Sequence, residues 1–484
     1  MGALEGLQPA GVYRFFEEIA KIPHGSYHVD EISDYLVAFA KERNLKVVQD
    51  ELKNVVIYKA ASDGYEDEET VIIQGHMDMV AVQDADAPID ITKDPLMLMQ
   101  DGNYIFAKGT SLGADDGIAV AYALAILDDD SLKHPALEVV ITVNEEVGLG
   151  GAIGLNGALL SGKRMLNIDS EEEGIFTAGC AGGMSCELKL PFVKEERRGC
   201  VCTIEISGLL GGHSGVMIHH GRANANVLMG RLWMAIGTAM DYRLISANGG
   251  EKGNAIPTDS VSTIVIDEEN TELLQTILQN AEALFRKEFE GKETEIFVTV
   301  EIKPAAVVSC MDKTSTEKCK HLLVAQPDGV QVYSGVVDGL VETSLNMGIM
   351  RTNETDLLTH YDIRSSRKSG ISAVRDKVKI IGEILGGAFE ELTSYPEWEY
   401  CSDSPLRDKM VDVYKEVYGR EPKIDIIHAG LECGVFAEKI EGFDAVSFGP
   451  NILDIHTTKE RLDIESTKRV WDFLLRLLET KDKK

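Results

Sequence analysis

Two histidines and a set of carboxylates stand in five short motifs whose residue types suit divalent-cation chemistry. His76 and Asp78 lie in GHMD, Asp115 in GADDG, Glu145 and Glu146 in NEE, Asp169 in NIDSEE, and His456 in ILDIHT. Imidazoles and carboxylates in this mixture fit one or two zinc-like ions with room left for water. Asp115 has two oxygens and could bridge two cations, with His76 and Asp169 on one and Glu146 and His456 on the other. A pair of cations about 3.5–4 Å apart polarises a carbonyl and brings the pKa of a water toward neutrality. Glu145 neighbours Glu146 but points elsewhere, so it can take that water's proton as general base. Asp78, two residues after His76, lies on the same side of an extended segment. Its carboxylate could accept from the ring nitrogen turned away from the metal, fixing the tautomer. Any one motif has a plainer explanation as a solvated loop, or, for Asp115 or Asp116, as a helix cap. Their joint occurrence favours the metal site. His24, His28, His134, His219, His220, His321 and His360 have no comparable setting and read as ordinary surface or core residues.

Four of the motifs follow or open apolar segments that predict regular structure. Thr70–Gln74, Leu137–Val143 and Arg164–Ile168 read as buried strands, and Gly117–Leu127 as a buried helix. Val12–Ile22 and Glu31–Arg43 read as amphipathic helices. Strand and helix in alternation imply crossover units and a mostly parallel sheet, whose carboxyl edge borders a ligand crevice. From Cys202 the style changes. Cys202–Ser207, Val261–Ile266 and Phe297–Ile302 read as strands, Gly348–Met350 continues into Asp356–Ile363, and Thr271–Glu290 and Ile371–Leu392 read as long helices. The first style returns with a helix near Lys409–Tyr418, strands at Lys423–Ile427 and Ala445–Phe448, and a final helix Ser466–Glu479. The expectation is an α/β chain with a discontinuous catalytic domain, 1–185 plus 395–484, interrupted by an α+β domain at 186–394.

Composition narrows the function classes. The chain has 484 residues, 44% of them hydrophobic and 26% charged, enough for substantial cores. Its formal net charge of −32 repels phosphate backbones and anionic lipid, so neither nucleic acid nor membrane is an expected partner. Eight cysteines without a C-x-x-C pair argue against a disulfide framework. The start carries no basic segment followed by an apolar run, and no stretch approaches a membrane span. A cytoplasmic location is expected.

GHMDMV, GADDGIA, TVNEEVGLGGA, NIDSEEEG and DIHTTKER together resemble the co-catalytic two-zinc aminopeptidase, carboxypeptidase and aminoacylase superfamily. With HAGLECG added, the set is similar to its aminoacyl-histidine (Xaa-His, carnosine-cleaving) dipeptidase branch, over nearly the whole chain. The resemblance implies a zinc-binding catalytic domain interrupted by a lid, a homodimer, and short peptides, especially Xaa-His dipeptides, as substrates. It implies two divalent ions, zinc first with cobalt or manganese as alternatives. It implies metal ligands His76, Asp115 (bridging), Glu146, Asp169 and His456, with Glu145 as base and Asp78 orienting His76. The choice of Asp115 over Asp116 rests on this resemblance. In the lid, His213 of GGHSG is implied as oxyanion donor, from its own or the partner subunit; a helix-start histidine beside a Ser214 cap is the simpler alternative. Asn254 of GNAIP and Arg364 of YDIRSS are implied to hold the substrate carboxylate, for which a guanidinium fork is suited. HAGLECG is expected to border the pocket, Gly430 letting backbone approach substrate and Glu432 meeting a free amine. Lid closure would bring His213, Asn254 and Arg364 to the metals. The other readings are another amide hydrolase on this scaffold (aminoacylase, tripeptidase or broad dipeptidase) or a non-catalytic metal-stabilised binding protein. GLGGAIG (Gly148–Gly154) is close to a dinucleotide loop, but its spacing is wrong, and tight packing behind the Glu pair explains it better. Ser214 lacks the glycines of a nucleophile elbow.

Overall fold

The computed structural model describes residues 2–335, 337 and 339–482. The chain divides into two compact units, one of residues 1–180, 398–426 and 431–484, the other of 181–397 and 427–430. These limits lie a few residues from those read in the sequence, and the four residues 427–430 leave the first unit altogether.

The first unit is built on an eight-stranded sheet. Its middle runs Leu137–Thr142, Val71–His76, Arg164–Asn167 and Asp444–Ser447, all parallel. Antiparallel strands Val55–Lys59 and Lys46–Gln49 extend one side, while Ile175–Cys180 and then Lys423–Ile427 extend the other. The Leu137–Thr142 and Val71–His76 strands are buried along their whole length, as the unbroken apolar runs of their sequences require of a sheet covered on both faces. Helix Ala114–Asp128 is just as apolar and is buried on every side, packed against helix Ala10–Ile19 and the Val71–His76 strand. Its regular dihedrals begin at Gly117, because Asp115 and Asp116 are non-helical; the peptide bond between them is cis. A small four-stranded sheet joins the hairpin Leu98–Asp101/Tyr104–Ala107 to the hairpin Ile452–Leu453/Arg461–Asp463. His456 lies in the loop of that second hairpin.

The second unit carries a nine-stranded sheet in which every pairing is antiparallel. Alternate residues of its strands are buried, for example Leu357, Thr359, Tyr361 and Ile363, the pattern of a sheet with one covered face. Helices Ala225–Ala239, Thr271–Glu288, Lys313–Ala325 and Lys368–Leu385 supply the cover, with Trp233, Leu278, Leu322 and Val378 in the shared core.

Two expectations are corrected here. The helix read over Ile371–Leu392 stops at Leu385. Gly386 takes φ +86 and closes the last turn, and Ala388–Tyr395 is a strand beside Gly182–Pro191. A left-handed glycine of this kind is a standard helix terminator. The strand read as Phe297–Ile302 runs on to Met311, paired with Lys194–Ser207 on both sides of a register shift between Gly199 and Val201. Being half-exposed, it needs no continuous apolar signature. Among the described residues, no helix is long and apolar enough to cross a membrane.

Candidate active site

The strand order of the first unit brings the separated motifs together. His76 ends the strand lying between Leu137–Thr142 and Arg164–Asn167, aligned with Thr142 on one side, while Gln74 aligns with Asn167 on the other. Three neighbouring strands therefore release His76, Glu145–Glu146 and Asp169 at one carboxyl edge. The His76 Nε2 atom is 3.3 Å from Asp115 Oδ1, 3.5 Å from Asp169 Oδ1 and 4.0 Å from Glu145 Oε2. His456 Nε2 lies 3.2 Å from the other Asp115 oxygen, Oδ2, and 3.0 Å from Glu146 Oε1. Asp115 thus stands between the two imidazoles with one oxygen toward each. Asp116, its neighbour, accepts the main-chain N–H of His76 at 3.2 Å and keeps a carboxylate oxygen close to His76 and Asp169.

These separations fit a cation at the centre of each group. Around an ion with bonds of about 2.0–2.1 Å, tetrahedral donors stand roughly 3.3 Å apart. Three overlapping triads have all their ligand atoms within 4.8 Å of one another: His76, Asp116 and Asp169; His76, Glu145 and Glu146; and Asp115, Glu146 and His456. Among the described residues, no lysine or arginine pairs with Asp115, Glu145, Glu146 or Asp169, so a buried concentration of negative charge is balanced by imidazoles alone. Such a cluster calls for positive charge.

Electrostatics follow from that crowding. Burial raises Glu145 well above the usual carboxylate range; His76 opposes this, while Asp169, Glu432 and Glu146 add to it. Burial also raises Asp169 and Glu146. Burial likewise lifts Glu171, beside Asp115 and Asp169, to about 8. Burial works against the charged form of His76, yet the surrounding Asp169, Asp115 and Asp78 carboxylates hold it well above the usual imidazole value. The same balance, with burial opposed by Asp115 and Glu146, raises His456 to about 10.

Asp78 is placed otherwise than expected. The His76 Nδ1 atom donates to the main-chain carbonyl of Asp78 at 2.9 Å, whereas the carboxylate is 3.6 Å away. That carboxylate accepts the Glu145 main-chain N–H at 3.0 Å and the Ser26 hydroxyl at 2.8 Å. Its geometry ties the His76 segment to the Glu145 segment. Glu432 departs further. It is 0% exposed and accepts from Gln74 and Thr142 beneath the cluster, with Gln74 in turn accepting from Asn167. Burial raises it to about 8, and it does not reach a solvent-borne amine. In GLGGAIG, a side-chain carbon on Gly151 would collide with the Val143 backbone and Asn54, so tight packing accounts for that run. Beside Glu146 a cavity of about 450 Å³ is lined in part by Tyr27, His28, Met79, Val80 and Val147.

The second unit gathers the remaining residues. Gly212–His213 pairs with Ala255–Ile256, and Ser214 N–H donates to the Asn254 carbonyl at 2.8 Å, so His213 and Asn254 share a ribbon. His213 Nδ1 accepts from the main-chain N–H groups of Gly215 and Val216 at 3.1 and 3.2 Å. A neutral ring so held carries its proton on Nε2. Arg364 Nη1 donates to the Tyr395 hydroxyl at 2.7 Å, and Gly430 packs on the Tyr395 ring. Arg364 Nε is buried with no acceptor among the described residues. His428 is bonded to Ser344, and burial followed by Arg364 and His213 lowers it to about 4. Tyr395, Ser344 and Ser26 carry no signal in the sequence, since no spacing rule marks a lone hydroxyl.

The profile of Peptidase family M20/M25/M40 matches residues 72–480. The cytosol non-specific dipeptidase of Escherichia coli (strain K12) is 37% identical over 480 residues, 99% of each chain. The crystal structure of aminoacylhistidine dipeptidase from Vibrio alginolyticus superimposes with a TM-score of 0.90 at 36% identity, covering 99% of this chain and 98% of that one. Aminopeptidase PepT from Bacillus cereus shares the fold at 15% identity, with a TM-score of 0.57 and 98% of each chain covered.

Proposed function

The chain belongs to peptidase family M20/M25/M40, and from that footing we propose that it is a two-metal dipeptidase acting on short peptides with a free carboxyl terminus. One observation carries the metal reading: the two oxygens of Asp115 face different imidazoles, at 3.3 Å from His76 and 3.2 Å from His456. In this proposal His76 and Asp169 would hold one cation and Glu146 and His456 the other, with Asp115 available to both. Such cations, zinc by preference, would when bound polarise the scissile carbonyl and make a water acidic enough to react near neutral pH.

The chain's own residues do the rest. Glu145, raised by burial, takes the water's proton and returns it to the leaving amine. The main-chain carbonyl of Asp78 holds the His76 ring by Nδ1, leaving Nε2 for metal. His213, with its proton directed to Nε2 by the two N–H groups on Nδ1, donates to the developing oxyanion. Arg364, whose Nε has no acceptor among the described residues, and Asn254 bind the terminal carboxylate, and Gly430 lets backbone approach it. The cavity beside Glu146 receives the side chain of the amino-terminal residue. Preference for Xaa-His substrates of the carnosine type, a homodimer and a cytoplasmic location belong to the same proposal. It is supported by likeness to relatives named as aminoacylhistidine and non-specific dipeptidases.

Glu145→Gln is the direct test. It should keep both cations and lose turnover by about 10²–10⁴-fold, the usual contribution of a general base. Undiminished hydrolysis would remove Glu145 from this role. Rates on a panel of Xaa-His and other dipeptides decide the specificity; indifference to the carboxyl-terminal residue selects the broad reading.

A further inference from the structure

Glu460 is a buried carboxylate, 2% exposed, with an unusual set of partners. Its Oε2 accepts the main-chain N–H groups of Leu112 at 2.7 Å and Gly113 at 3.0 Å. Its Oε1 accepts those of Ala114 at 2.8 Å and Asp115 at 3.3 Å. Four consecutive amides of the segment leading into the buried helix thus converge on one side chain, and the last belongs to Asp115 itself. These amides precede the first complete helical turn and have no carbonyl of their own to bond. An anionic acceptor is the strongest partner they can have.

The other end of this contact is equally telling. Glu460 sits in the hairpin loop between Ile452–Leu453 and Arg461–Asp463, four residues after His456. In that loop Asp454 and His456 both have left-handed backbones, φ +56 and +60, a conformation uncommon for non-glycine residues. Arg461 pairs with Asp454 at 2.7 Å across the loop base, but that bond does not orient the loop against anything else. The Glu460 cradle does: it joins the loop bearing His456 to the segment bearing Asp115.

We propose that Glu460 is a positioning residue that preassembles the cation site formed by Asp115, Glu146 and His456, by locking the His456 hairpin onto the Leu112–Asp115 backbone. This rests on the two-metal reading above. The chain also provides an internal control. Glu138, 4% exposed, accepts N–H groups of Ser161 and Gly162 and the Ser161 hydroxyl in a similar cradle. It lies at the opposite end of the strand that leads to Glu145.

The experiment compares wild-type, Glu460→Gln and Glu138→Gln proteins, stripped with chelator and titrated with Co²⁺ alone by visible absorption and calorimetry. The carboxamide that Glu460→Gln introduces would set a donor against two N–H groups that now meet an oxygen. Wild type should take up two equivalents. Glu460→Gln should bind one of them about 10–100-fold more weakly and leave the other unchanged. Its lost activity should return with excess Co²⁺ at unaltered KM, and amides 112–115 should exchange hydrogen faster. Glu138→Gln should lower thermal stability without moving either equivalent. The proposal is overturned if folded Glu460→Gln binds both equivalents as wild type does, or if Glu138→Gln weakens binding equally. Should Glu460→Gln not accumulate folded, Glu460→Asp, which keeps the charge but shortens the reach, must show the same selective loss; wild-type affinity there also overturns it. A wild type that takes up no Co²⁺ fails the metal reading itself, and the role of Glu460 falls with it.

Discussion

His76 and His456 present the same atom to the same carboxylate, at 3.3 and 3.2 Å, yet the molecule builds them in opposite ways. His76 ends a fully buried parallel strand, is 1% exposed, and has its second nitrogen held by the Asp78 carbonyl. His456 rides on a hairpin loop with a left-handed backbone and a side chain 45% exposed. One ligand is a product of the core and comes with the fold. The other is loop chemistry that must be tied into place. Removing them should therefore cost different things.

The largest effect is expected from His76→Ala. It leaves Asp115 and Asp169 buried without their imidazole and should destabilise the chelator-stripped protein by about 3–5 kcal/mol, read from urea unfolding. A loss below about 1 kcal/mol would erase the contrast with His456. For His456→Ala, stability should change by less than about 1 kcal/mol, because the imidazole itself is 45% exposed and water screens its pairing with Asp115 and Glu146. Turnover should nevertheless fall about a hundredfold or more, given that a catalytic cation contributes several kcal/mol. Steady-state rates beside the unfolding curve separate the two quantities.

A pH series sharpens the comparison further. In the folded chain His456 is raised from 6.5 to about 10 by Asp115 and Glu146 against the effect of burial. Its contribution to stability is complete below about pH 6.5 and is lost as pH climbs through 10. Glu432, raised by burial from 4.5 to about 8, has the same sign: its contribution is complete below 4.5 and lost through 8. The Tm of stripped protein should thus fall from pH 6 to 10, and His456→Ala should flatten only the upper part. A Tm that rises over this range contradicts both assignments. The smallest change is expected from Ser26→Ala, which removes one of the bonds on Asp78 at about 1 kcal/mol. The readout is a loss of kcat below about tenfold.

Legibility in the sequence followed burial. TVIIQ and LEVVITV could be read as strands because both faces are covered and the apolar run is unbroken. The Phe297–Met311 strand, half-exposed along most of its length, shows only its first six residues to such a reading. Helix Ala114–Asp128 was visible from Gly117 onward, where its dihedrals become regular. The two residues before it, which matter most for chemistry, could not be told apart: Asp115 and Asp116 are equivalent in the chain, and the family likeness alone chose between them. The place of Glu432 is illegible for a related reason, since nothing in HAGLECG says that His428–Gly430 belong to one unit and Glu432 to the other.

By itself, then, the sequence determined which residues leave the ends of buried strands, because covered strands and helices write their periodicity locally. It also carried enough ordered motifs to establish the family. Tertiary structure alone decided that Asp115 stands between two imidazoles, that Asp78 reaches His76 through its carbonyl, and that Glu460 gathers four amides. Those facts depend on strands being ordered in the sheet differently from their order in the chain. That order is set by which faces can be buried together, a property of the whole packed domain rather than of any stretch of residues.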